Sequence, residues 1–274
     1  MCFQNFLVLL DRNIARKRCT SKVSSLDENF TLKMYLFQKL LTIPAYQIII
    51  EYYLLFSFIK KIRDPVSGIT HFAGLLISIA AFGLLAANAA KHGTTRHIVA
   101  FFIYGTSLIL LYGASSMYHL LPVSPRGIAI LRRIDHSMIF VLIAGTYTPI
   151  CLIPLRGLWG WSLFYIIWCM AAVGIFQAIY WIQAPRWFST SLYLMMGWLV
   201  ILVCYPIVQS IPVGGIIWIA LGGLFYTGGA IIYVLKKPNP ISGIFGFHEI
   251  WHIFVLAGSS CHFWAMFCYV MTIA

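Results

Sequence analysis

After Asp64 this chain of 274 residues keeps only two carboxylates, Asp135 and Glu249, and both stand in apolar runs close to histidines. His119, His248 and His252 lie near them, with Ser115 four residues ahead of His119. An ionisable side chain in such surroundings costs about 2.5–3.5 kcal/mol on insertion scales and is a functional candidate by default. His248 and His252 are four apart, so on a helix both rings leave one face a turn apart, a two-point clamp for a metal. His119, from another helix, completes a three-histidine zinc site with one open position. Zinc in such a site lowers the pKa of its water to about 7. Asp135 is then an outer carboxylate that orients or deprotonates that water, and Ser115 a donor to an oxyanion or ligand.

The run His248-Glu249-Ile250-Trp251-His252 also fits H-E-x-x-H, in which the glutamate is the general base of a metalloprotease. Glu249 therefore competes with Asp135 for that role. It lies about 100° round the helix from His248, so a neighbouring helix or a headgroup is an alternative partner. His92 and His97 read as outer-loop residues, and His71 and His136 as interfacial or structural ones. His262, about 15 Å beyond His252 along a helix, reads as a core hydrogen-bonding residue.

The elements that must position these groups follow from composition. The chain is 61% hydrophobic and 9% charged, with mean hydropathy +0.88, whereas soluble domains carry about 25% charged residues. A helix needs roughly 20 apolar residues to cross a bilayer. Seven stretches meet that length: 66–90, 97–121, 134–154, 158–182, 191–210, 213–235 and 247–273. The fold class is all-α, an integral membrane seven-transmembrane helix bundle in residues 63–274. Gly222-Gly223 and Gly228-Gly229 mark close helix approach. Residues 1–62 form an atypical extension, with an interfacial helix expected at 45–59.

Ten Lys and Arg residues precede the first span, and Arg126, Arg132, Arg133, Arg186, Lys236 and Lys237 fall in loops on the same side. The opposite side has Lys91, Arg96 and Arg156. This bias places the N-terminus in the cytoplasm and the C-terminus outside. It also puts the ends of spans two, three and seven that bear His119, Asp135, His248 and His252 at the inner leaflet. The net charge of +12 is distributed as loop charge, so no nucleic-acid partner is expected. The seven cysteines form no CxxC pair and read as reduced, small apolar residues.

Several stretches resemble the haemolysin III family, which belongs with the progestin and adipoQ receptor proteins and, more widely, with seven-helix membrane hydrolases such as alkaline ceramidases. They are Arg63-Asp64-Pro65-Val66-Ser67-Gly68-Ile69-Thr70-His71, Ser115-Ser116-Met117-Tyr118-His119, Ile134-Asp135-His136-Ser137, Ala144-Gly145-Thr146-Tyr147-Thr148-Pro149, and Phe247-His248-Glu249-Ile250-Trp251-His252 with Ala257-Gly258 and His262-Phe263. The resemblance implies zinc held by His119, His248 and His252, with Asp135 touching it through water. Relatives with adiponectin-receptor function have Gln at the place of Glu249, which counts against that residue as an indispensable base. The implied activity is hydrolysis of lipid amide or ester bonds by zinc-activated water, on a ceramide-like or other acyl lipid, in a bacterial plasma membrane. Two alternatives stand beside it: a pore-forming, membrane-permeabilising protein with a structural zinc, and a receptor-like stress sensor.

Overall fold

The computed structural model describes residues 62–273, together with 33–35, 37–39 and 50 ahead of them. The helix expected at 45–59 lies, but for residue 50, outside the described residues.

Seven helices long and apolar enough to cross a membrane follow one another among the described residues. They are α1 (Pro65–His92), α2 (Thr95–Leu120), α3 (Pro125–Leu155), α4 (Gly157–Tyr180), α5 (Arg186–Ser210), α6 (Val213–Leu235) and α7 (Phe247–Val270). The connections are short, so successive helices run antiparallel. The fully buried large side chains, among them Phe101, Tyr104, Phe140, Ile167 and Met266, fill the bundle, while Leu76, Ile77, Val173, Phe176 and Leu202 are exposed. An apolar interior inside an equally apolar exterior is the pattern of a protein whose outer solvent is lipid.

Two helices depart from the expected spans, and both departures shape the interior. Ser124 caps α3 by accepting a bond from the Gly127 amide (3.3 Å), and Pro125 opens it. Proline is preorganised for the first helical position. Asp135 therefore stands nearly three turns inside α3, not at its start; Arg126, Arg132 and Arg133 had pointed to a loop there. At its other end α3 passes Pro149 and closes in a π-helical stretch, Cys151–Leu155.

The expected single helix 191–210 is broken. α5 runs as α-helix over Arg186–Trp198, tightens to a 3₁₀ stretch at Leu199–Val203, and resumes at Cys204–Ser210. Pro206 lacks an N–H and crowds the carbonyl four residues back, at Leu202. Tyr147 of α3 bridges the break: its hydroxyl donates to the Gly197 carbonyl (2.7 Å) and accepts from the Val200 amide (2.9 Å).

α6 packs on α7 through buried glycines at Gly215, Gly222 and Gly229, one every seven residues. A Cβ at Gly222 would stand 2.6 Å from the His262 ring, and one at Gly229 2.7 Å from Phe254. Gly228 would meet Phe254 at 3.0 Å, while a Cβ at Gly223 meets nothing within 4 Å. Both glycines of the 228–229 doublet thus approach α7, whereas of the 222–223 doublet only Gly222 does.

Candidate metal centre

The last turn of α2 and the first turns of α7 meet at the end of the bundle that carries most of the basic residues. The ring centroids of His119, His248 and His252 form a triangle with sides of 5.2, 4.9 and 4.7 Å. Their ligand-capable atoms all lie within 4.8 Å of one another. His119 Nε2 is 3.5 Å from His248 Nε2, long for a hydrogen bond between imidazoles. Two nitrogens at zinc bond lengths of 2.0–2.1 Å in a tetrahedron stand about 3.3 Å apart, so the spacing suits a shared ion. The donor set, three neutral nitrogens on two helices, suits zinc as well.

His119 is oriented from outside the helices. Its Nδ1–H donates to Asp64 Oδ2 (3.0 Å), leaving Nε2 for a metal. Asp64 also accepts from Arg63 Nε (2.7 Å), and the Arg63 guanidinium lies over the Tyr118 ring, 4.0 Å from its centroid, and donates to the Tyr118 carbonyl (3.2 Å). The His119 bond, with Arg63 beside it, holds the Asp64 carboxyl down at about 2, against the opposing effect of its partial burial. A carboxylate behind a ligating imidazole fixes its tautomer and raises its basicity. Sequence reasoning gave Asp64 no role of its own. The signal that could have found it is the unbroken Arg63-Asp64-Pro65 run ahead of the first span.

His252 is buried, with its Nδ1 enclosed and unbonded and the Ser67 backbone carbonyl nearby. The His71 ring stacks on it at 3.7 Å and 28°, and neither nitrogen of His71 has a hydrogen-bond partner among the described residues. His71 is thus a buried neighbour of the triangle, not an interfacial residue.

Glu249 faces away from the triangle. It accepts from Ser67 Oγ (2.9 Å) on α1 and from the Gly246 amide (2.8 Å), capping its own helix. The glutamate of the H-E-x-x-H run is therefore spent on packing α7 against α1.

Asp135 and Ser115 are both buried, and Ser115 lies beside the Asp135 carboxyl. With His248 and His252 they line one cavity of about 430 Å³ between α2, α3, α5, α6 and α7. His136, Arg132, Arg186 and Tyr233 line it too, and the Arg186 guanidinium packs over the Tyr233 and Phe247 rings at 5.0 and 5.2 Å. Away from this end the lining is mostly apolar, through Ile139, Ile143, Ile201, Ile207 and Ile216, with Thr146, Tyr147, Tyr226 and Thr227 among them. From Tyr233 to Ile216 along α6 is roughly 25 Å, a slot with the length and polarity of an acyl chain. His262 also lines it, and the core hydrogen bond expected there is absent: its Nδ1 is buried with no partner.

The family described as "Haemolysin-III related" matches residues 59–263. Hemolysin-3 of Bacillus cereus is 39% identical over 218 residues, 80% of this chain and 95% of that protein. The Hemolysin-3 homolog of Bacillus subtilis (strain 168) is 41% identical over 211 residues, 77% and 96% of the two chains. Monocyte to macrophage differentiation factor of Homo sapiens is more distant, 26% identical over 175 residues, 61% of this chain and 69% of that one. With seven apolar helices and a family match over most of its length, the chain is a multi-pass membrane protein that belongs to the haemolysin III-related family.

Proposed function

We propose that this protein is a zinc-dependent hydrolase of lipid amide or ester bonds, with its centre at the cytoplasmic leaflet of the cell membrane. The observation that carries the reading is three histidines at metal-binding spacing, two of which, His248 and His252, share with the buried Asp135 the wall of a largely apolar cavity. Zinc held there by His119, His248 and His252 supplies Lewis acidity and hydroxide at neutral pH. The chain's own residues do the rest. Asp64 fixes His119 with Nε2 inward. Asp135 takes up the proton of the attacking water and returns it to the leaving group. Ser115, beside it, donates to the oxygen that gains charge as the carbonyl is attacked. The aliphatic slot holds the acyl chain so that its carbonyl stays at the polar end, and excludes water elsewhere. The positive-inside bias puts this end in the cytoplasm, and a ceramide-like or other acyl lipid is the substrate class.

Metal analysis of the purified full chain beside His252→Ala tests the ligand set, with about one zinc per chain expected in the first and a small fraction of that in the second. Equal zinc in both ends the metal reading. At unchanged zinc, Asp135→Asn should lower acyl-lipid hydrolysis by about 10²–10⁴-fold; an unchanged rate removes Asp135 from the chemistry.

The names of the Bacillus relatives favour a second reading, membrane permeabilisation with a purely structural metal. Dye release from liposomes by a chain with all three histidines replaced would support it over hydrolysis.

A further inference from the structure

Ten residues beyond His252 on α7, the cavity meets polar side chains that a metal at the histidine triangle does not reach. His262 and Tyr226 both line it. His262 is only 8% exposed, its Nδ1 is enclosed without a hydrogen-bond partner, and its ring stacks on Tyr226 at 5.6 Å and 18°. The Tyr226 hydroxyl is 2.8 Å from Ser259 Oγ, which also accepts from the Tyr112 hydroxyl at 2.7 Å.

These hydroxyls carry one proton more than they can share. Tyr112, Ser259 and Tyr226 bring three O–H donors, one each, and the two contacts between them use two. The Val255 carbonyl is 3.5 Å from the Tyr112 hydroxyl, whose proton already points to Ser259. If Ser259 donates to Tyr226, the surplus donor sits on the residue that faces the cavity; if Tyr226 donates, it sits on Ser259 just behind. An unpaired donor and an unpaired imidazole nitrogen are costly in apolar surroundings. The lining nearby is mostly apolar, with Ile143, Ile219, Ala220 and Val255, and the hydroxyl protons of Thr146 and Thr227 there are already given to the Leu142 and Gly223 carbonyls.

We propose that His262 and Tyr226 form a second recognition point in the cavity, which takes a hydroxyl or keto oxygen set deep in the hydrocarbon chain of the bound lipid. The proposal deepens the hydrolase reading and rests on its cavity: it names the acyl chain that the site selects. Ten helical residues separate His262 from His252 by about 15 Å. Carbon–carbon bonds of about 1.5 Å at tetrahedral angles advance an extended chain by about 1.3 Å per carbon. With the reacting carbonyl at the histidines, an oxygen near the twelfth carbon meets His262 and Tyr226.

Native mass spectrometry of the purified full chain tests this, with zinc removed by chelation so that turnover cannot change the probes. The protein is offered equimolar stearic acid and 12-hydroxystearic acid, and separately stearic acid and 6-hydroxystearic acid, whose hydroxyl falls short of the two side chains. The 12-hydroxy acid should be retained about fivefold to tenfold over stearic acid, the worth of one buried hydrogen bond, and the 6-hydroxy acid at parity. Tyr226→Phe, which removes a single oxygen, and His262→Phe should each pull the first ratio toward one. Because both acids compete in one sample, a general loss of affinity cancels from the ratio. Parity in the wild type, an equal preference for the 6-hydroxy acid, or a preference that survives both substitutions overturns the proposal while leaving the hydrolase reading in place. A wild-type chain that retains neither acid overturns both.

Discussion

On one side of the cavity, α1, α2 and α7 are joined by side chains that meet across the helices. Asp64 holds His119, Ser67 holds Glu249, Tyr112 reaches Ser259, and His71 lies flat on His252. On the other side, α5 and α6 face the space mostly with apolar side chains, Leu194, Val200, Ile201, Ile207, Ile216 and Leu224 among them, interrupted by Tyr193, Tyr226 and Tyr233. A hydrogen bond from Trp198 Nε1 to Thr227 Oγ1 at 3.2 Å and the Arg186 guanidinium over the Tyr233 ring link their side chains, and α5 keeps its backbone bonded through its break by borrowing Tyr147. Directional polar contacts specify one arrangement and are costly to leave half made, whereas aliphatic packing of the right volume tolerates several. The wall that carries the histidines is built for position. The wall of α5 and α6 is built for volume.

The largest expected effect falls on the positioned wall. Asp64→Ala should weaken zinc binding by about 10–100-fold, the usual cost of losing a carboxylate behind a ligating histidine, read by competition with a chromophoric chelator. A change under twofold would mean that the helices alone orient His119. The same pair sets a pH window. With the carboxyl lowered from 3.8 to about 2 by its His119 bond, its contribution is fully present above pH 4 and is lost as pH falls toward 2. The difference in thermal stability between wild type and Asp64→Ala, both metal-free, should follow that course.

Next come the glycines. Gly222→Ala forces a methyl against the His262 ring and should destabilise the protein by about 1–3 kcal/mol, whereas a Cβ at Gly197 on α5 meets nothing within 4 Å. Gly197→Ala should therefore leave the melting temperature unchanged or raise it. Similar losses for both would erase the distinction between the walls. Tyr147→Phe strips both partners from the break in α5 and should cost about 1–2 kcal/mol, with faster amide exchange at Val200 as its local sign. Smallest of all is Glu249→Gln, which keeps an acceptor for Ser67 and Gly246. Zinc content should not move; loss of metal would show that the residue turns inward.

The division between the walls also explains what could be read from the chain. Apolar runs of about 20 residues separated by turn signals gave all seven helices, because the bilayer fixes their length. The four-residue spacing of His248 and His252 gave their shared face, and the scarcity of ionisable groups in the spans pointed to His119 and Asp135. What escaped notice depends on contacts between distant segments. The Asp64–His119 bond spans 55 positions, and an acid next to Arg63 in a loop looks no different from any other solvated pair. Pro206 signals a break in α5, but the Tyr147 hydroxyl that makes it tolerable lies on another helix. The three arginines near the start of α3 hid its true beginning, since the helix projects beyond its apolar part.

Asp64 stands one residue before α1, outside every helix of the bundle. One of the three imidazoles is thus aimed by a short approach segment, and a drift of that segment by an ångström breaks a 3.0 Å contact without shifting any transmembrane element. A metal at the triangle would then depend on the placement of residues 62–64 as much as on the helices, because Asp64 in its observed position keeps the His119 Nε2 free for it.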